Sequence, residues 1–167
     1  MKSNYRELLV LGFVVLAILV RLTPHPPNIT PVTALAIFGA STFKNKYLGL
    51  SLPLIAMIIS DIFLGFSSIT LWVYGAFLAI GILSTYWKKI KVHNVLLSSF
   101  IFFLVTNFGV WLLGYPKTLE GFILCYTLAL PFFFNSIVGD IFYTYVLKHS
   151  FKFSETKITN YVKARTI

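Results

Sequence analysis

The chain has 167 residues, of which 57% are hydrophobic and 11% charged, with a net charge of +9. Soluble domains carry about 25% charged residues, so a water-soluble globule is excluded and an integral membrane protein with one compact domain is expected. The basic residues lie between apolar runs and form no single patch, which argues against nucleic acid and for cytoplasmic anchors of membrane helices, with acidic lipid headgroups as a secondary partner.

Six membrane helices are predicted, at about Leu8–Leu22, Pro31–Phe43, Tyr47–Phe66, Ile69–Trp87, Asn94–Gly114 and Leu119–Leu147, an all-α bundle. The first run resembles a signal-peptide core. Arg21 and a proline loop follow it where a small-residue cleavage site would stand, so it reads as a retained helix. The second run is too short to cross the bilayer without thinning, snorkelling by Lys44 and Lys46, or a partly re-entrant course.

Between these two runs lies Leu22-Thr23-Pro24-His25-Pro26-Pro27-Asn28-Ile29-Thr30-Pro31. Four prolines in ten residues cannot continue a helix. Irregular backbone at a membrane survives only where protein covers it or water reaches it. A stiff loop carrying His25, Asn28 and Thr30 is therefore a candidate lid or wall of a binding site. The plainer reading is an inter-helix connection, with Thr30 as N-cap and Pro31 at the first helical position.

The third run carries Asp61 and the sixth Asp140, the only acids deep in predicted helices. An intramembrane carboxylate costs at least about 2.5–3.5 kcal/mol and is usually functional or paired. Asp61 falls near the proline loop and reads as a site residue, with helix packing as its alternative. Asp140, farther from the outer loops, reads as structural or as a coupling element. Ser136, Gly139, Asp140 and Tyr143 share one helical face, expected to point into the bundle. Pro53 to Asp61-Ile62-Phe63 is faintly echoed by Pro131 to Asp140-Ile141-Phe142, as two duplicated three-helix halves would require.

Asn107 and Asn135 are expected to bond between helices, and Ala36-x-x-x-Ala40 and Gly75-x-x-x-Ala79 to permit close helix contact. Cys125 is the only cysteine, which excludes an intrachain disulfide and a cysteine zinc cluster. It reads as a small apolar filler, with metal ligation as the alternative. His25, His93 and His149 fall in separate loops and cannot form one metal site. No catalytic or nucleotide-binding motif appears, so no catalytic residue, metal or cofactor is assigned.

Lysines and arginines set the expected orientation. Lys2, Arg6, Lys44, Lys46, Lys88, Lys89, Lys91, Lys148, Lys152, Lys157, Lys163 and Arg165 fall on one side, Arg21 and Lys117 on the other. Both termini are then cytoplasmic and the proline loop is outside. Residues 1–149 form the membrane domain. Residues 150–167 form a basic cytoplasmic tail, on the inner leaflet or disordered.

The run Pro24–Ala40, with Pro53–Phe66 and the following Val73-Tyr74, resembles segments of a family of small bacterial membrane proteins. That family is similar to the substrate-binding S components of energy-coupling-factor (ECF) transporters and to the solitary BtuM-type cobalamin-uptake proteins. The resemblance implies a bacterial cytoplasmic (inner) membrane protein that takes its substrate under the outer loops, with an ECF-type energising module as partner. Two departures stand out. The first helix lacks the Ala-x-x-x-Ala common in S components that share such a module, and Ser67 stands where members often carry His.

The function expected from all this is capture and uptake of a small micronutrient, vitamin-like and in one version cobalamin-related. His25, Asn28, Thr30, Asp61 and Tyr74 are the predicted substrate-binding residues. The rivals are a membrane enzyme using Asp61 and His25 as an acid–base pair on a lipid or cofactor, and a non-transporting assembly factor.

Overall fold

The structure, a computed structural model, describes the backbone of residues 2–165 and the side chains of residues 7–154 and 156. These contain seven helices: α1 (Lys2–Leu22), α2 (Val32–Thr42), α3 (Lys46–Leu64), α4 (Thr70–Ser84), α5 (Val92–Gly114), α6 (Leu119–Leu128) and α7 (Leu130–Arg165). Among the described residues three stretches, namely α3, α5 and Leu130–Ser154 of α7, are long and apolar enough to cross a membrane. Of the basic residues used for orientation, the side chains of Lys2, Arg6, Lys157, Lys163 and Arg165 lie outside the described ones.

The bundle is built around α2. This helix touches α1, α3, α4, α5 and α7, and every residue from Val32 to Ala40 is buried. A helix enclosed on all sides must be apolar on all sides, which the run Val32-Thr33-Ala34-Leu35-Ala36-Ile37-Phe38 provides. With 11 residues it rises about 16 Å, half the ~30 Å of a hydrocarbon core. The second predicted helix is thus a half-length central helix preceded by the proline loop.

Two glycines let α2 and α3 meet at backbone level. A Cβ on Gly39 or on Gly49 would strike the backbone of the other. Ala36 lies on the buried surface of α2, where its carbonyl accepts from Ser84 Oγ at 3.3 Å. Gly75-x-x-x-Ala79, expected to mediate helix contact, does not: both residues are exposed, and a Cβ on Gly75 would meet nothing. Asn107 likewise spends its amide within its own helix, Nδ2 donating to the Phe103 carbonyl at 2.8 Å.

The helix ends are set locally. Asn45 caps α3 by accepting from the Tyr47 and Leu48 amides, and Gly65 ends it at φ +90°, a conformation natural to glycine. Thr118 caps α6 through the Gly121 amide. Thr30 does not cap α2. Pro31 occupies the cap position with no side-chain bond, and Thr30 faces a cavity described below.

The sixth predicted helix is two. α6 ends at Leu128 and α7 begins at Leu130, because Pro131 lacks an N–H to continue the ladder and its ring crowds the preceding turn. Nor does the helix stop at Leu147. It continues to Arg165, since no proline or glycine follows Gly139 to end it.

Candidate functional site

The site is built from the ends of α1, α3 and α4 and the middle of α7. Arg21 stands in the last turn of α1 and Asp61 in the last turn of α3. The Arg21 guanidinium donates through Nη2 to Asp61 Oδ1 in an ion pair. Its Nε donates to Ser60 Oγ at 2.5 Å. From α4, the Tyr74 hydroxyl donates to the other carboxylate oxygen of Asp61 at 2.8 Å. The pair is largely enclosed, with 19% of the Arg21 side chain and 8% of the Asp61 side chain exposed. A carboxylate this far from water requires such donors.

The proline loop reaches α7. The Ile29 amide donates to the Pro26 carbonyl at 3.2 Å, closing a turn with Pro27 and Asn28 at its centre. Asn28 has φ +66°, the only positive value outside glycine among the described residues. Proline at the first central position and a left-handed residue at the second define a type II turn, for which asparagine is one of the few suitable residues. The Asn28 amide donates to the Phe132 carbonyl at 3.4 Å. Gly139 faces the backbone of Asn28 and Ile29, and a Cβ there would press on it. The loop is therefore a wedge seated on α7.

A cavity of about 260 Å³ opens between these elements. Four of the five predicted residues line it: His25, Asn28, Thr30 and Asp61. Tyr74 does not line it and acts on Asp61 from α4. Asp61 makes no bond to the proline loop; its partners are Arg21 and Tyr74. Carbonyl oxygens only accept, so His25 Nδ1 is the donor to the Thr23 carbonyl at 2.8 Å.

The same cavity is lined by six further polar residues that the sequence did not mark as binding residues: Arg21, Thr33, Ser67, Thr70, Ser136 and Asp140. Asp140 is 2% exposed. It accepts from Ser99 Oγ of α5 at 2.6 Å, and Thr33 lines the same cavity. Asp140, expected far from the site, lies at the wall of the same cavity as Asp61. Its neighbours Ser136 and Gly139 are buried and Tyr143 half-buried. Arg21 had a readable signal, a cation on the side otherwise poor in them.

A second cavity of about 360 Å³ adjoins the first and shares Asn28, Val73, Phe102 and Ser136 with it. The remainder of its wall is largely apolar, including Phe103, Val110, Leu128, Phe132 and Phe133. Cys125 lines it with its thiol 3.6 Å from the Asn107 carbonyl. Among the described residues no three His, Cys, Asp or Glu side chains gather as metal ligands would.

No curated protein and no solved structure matches this chain. A family model matches residues 1–162. It carries no activity, and the likeness to ECF S components goes beyond it. By that match the chain belongs to DUF6580, a family of unknown function.

Proposed function

We propose that this chain is a membrane-embedded binding and uptake protein for a compact micronutrient, captured from the outer side beside the proline loop. One observation carries the reading. A concavity in an apolar helix bundle collects His25, Asn28, Thr30, Asp61, Ser136 and Asp140, and polar groups converge at membrane depth where a ligand or ion is handled. The apolar cavity next to it gives the ligand a chemistry: a polar head among these side chains and an apolar body against Phe102, Phe103 and Phe133. At about 260 Å³, the polar cavity lies just below the range of about 300–1,000 Å³ for drug-sized ligands. That favours a small vitamin or precursor over a corrinoid. The orientation rests on the charge asymmetry, with both termini cytoplasmic and the chain in a bacterial inner membrane.

The enzyme reading is the weaker one, since both oxygens of Asp61 are held by Arg21 and Tyr74, which suits a fixed anion better than a general base.

The test is a thermal-shift screen of the purified protein against water-soluble vitamins and their precursors. Binding to the folded state alone stabilises it by about 2.7 kcal/mol at a hundredfold excess over Kd. One compound is expected to raise the midpoint, and Ser136→Phe, which fills the wall shared by both cavities, to abolish that rise. A compound that stabilises wild type and Ser136→Phe equally would remove the site from the proposal.

A further inference from the structure

The opposite end of the bundle holds a third, differently built concavity. It lies where the C-terminal turn of α2, the α4–α5 connection and the Lys148–Lys152 turn of α7 meet, and encloses about 470 Å³. Five lysines line it: Lys88, Lys89 and Lys91 from the connection, and Lys148 and Lys152 one turn apart on α7. Ser41 and Thr42 add hydroxyls, and no lining residue is acidic. The floor is aromatic. Phe38 and Phe151 are buried and meet edge to face at 5.3 Å, with Trp87 beside them.

Five like charges around one concavity repel one another and favour an anion between them. Lysine ammonium groups bind phosphate oxygens as mobile point charges. Aromatic rings beneath them suit the apolar part of the same molecule. Lys148 and Lys152 fall in the last turns of the Leu130–Ser154 stretch, where a helix leaves the hydrocarbon for the headgroup layer. We propose that this concavity is a binding site for a phosphate-bearing amphiphile, its phosphate on the five lysines and its apolar part against Phe38, Trp87 and Phe151. Its position at a helix exit makes an anionic phospholipid of the surrounding leaflet the source, and a soluble organophosphate carries the same chemistry. The proposal does not depend on the micronutrient reading of the other cavity.

Trp87 is a built-in reporter, since the chain has three tryptophans and Trp72 and Trp111 pack among residues of α4 to α6, away from these lysines. In the full-length Trp72→Phe/Trp111→Phe variant, Trp87 emission is followed in nanodiscs. Brominated phosphatidylglycerol is compared with brominated phosphatidylcholine at equal mole fraction. Phosphatidylglycerol is expected to quench preferentially. Lys148→Gln/Lys152→Gln should reduce that preference on the order of tenfold or more, at about fivefold per lysine. Lys44→Gln/Lys46→Gln, at the same end but outside the concavity, should leave it unchanged. Glycerol 3-phosphate added to detergent-purified protein forms the second arm. A saturable, lysine-dependent change in Trp87 emission there assigns a soluble organophosphate as the source. Equal quenching by both lipids with no response to glycerol 3-phosphate overturns the proposal. So does a preference lowered as much by the Lys44/Lys46 change as by the Lys148/Lys152 change, which would mean diffuse surface charge.

Discussion

Arg21 is a cation at the end of α1 in a chain whose lysines, Lys117 apart, cluster at the opposite helix ends, and Asp61 explains its presence. Removing one partner of an enclosed ion pair leaves the other charge uncompensated and costs about 3–5 kcal/mol. Arg21→Ala and Asp61→Ala should therefore each lower the thermal midpoint strongly, and the double variant should cost well below their sum. Additive losses would show that the two side chains act independently. Asn28 calls for a different substitution. Its φ of +66° costs an ordinary residue about 1–2 kcal/mol and glycine almost nothing. Asn28→Gly should keep the turn and Asn28→Ala should weaken it. A ligand lost in both variants with the fold intact would assign the Asn28 amide to binding rather than to the turn. The importance of Asn28 was readable from Pro-Pro-Asn, but its left-handed backbone and its seat on Gly139 depend on tertiary packing that no local pattern carries.

Among the elements, α2 was legible as short and apolar but not as central, because a helix without an apolar face gives no direction to its partners. Its closest partner is fixed by Gly39 and Gly49, with Ala40 of the expected Ala36-x-x-x-Ala40 pair at the same close approach, whereas Gly75-x-x-x-Ala79 takes no part. Gly39→Ala should destabilise by about 1–3 kcal/mol through overpacking, while Gly75→Ala should be neutral within about 0.5 kcal/mol. Denaturation of both variants in the same detergent would show it, and equal effects would contradict the packing described here. The break between α6 and α7 was also available in the sequence, as Pro131 within an apolar run. A long hydrophobic stretch hides it, because a membrane helix can carry a kinking proline that its neighbours accommodate. Asp140 was misplaced for a related reason. Counting residues from the outer loops sets it deep, but the proline loop itself descends to Gly139 and brings the cavity to it.

At the scale of the molecule, the charge asymmetry has a structural counterpart. The two cations on the side predicted to be outer are both engaged: Arg21 by Asp61, and Lys117 by the Trp111 and Tyr115 carbonyls at the end of α5, at 2.8 and 2.9 Å. Lysine at a helix C-terminus satisfies carbonyls that have no amide partner. At the other end, Lys88, Lys89, Lys91, Lys148 and Lys152 line the basic concavity instead. A cysteine at exposed Ser68 in a Cys125→Ala background should accordingly react with an impermeant thiol reagent in intact spheroplasts, and one at Lys89 only after lysis. The reverse pattern would invert the orientation and put the polar cavity on the cytoplasmic side. The central claim, that the cavity between Arg21, the proline loop and Asp140 holds a small molecule, is tested most directly by native mass spectrometry of gently extracted protein. The wild-type chain should carry a discrete small-molecule adduct, and Ser136→Phe should lose it while Gly75→Ala keeps it. A wild-type chain without any adduct, or an adduct that survives Ser136→Phe, would contradict it.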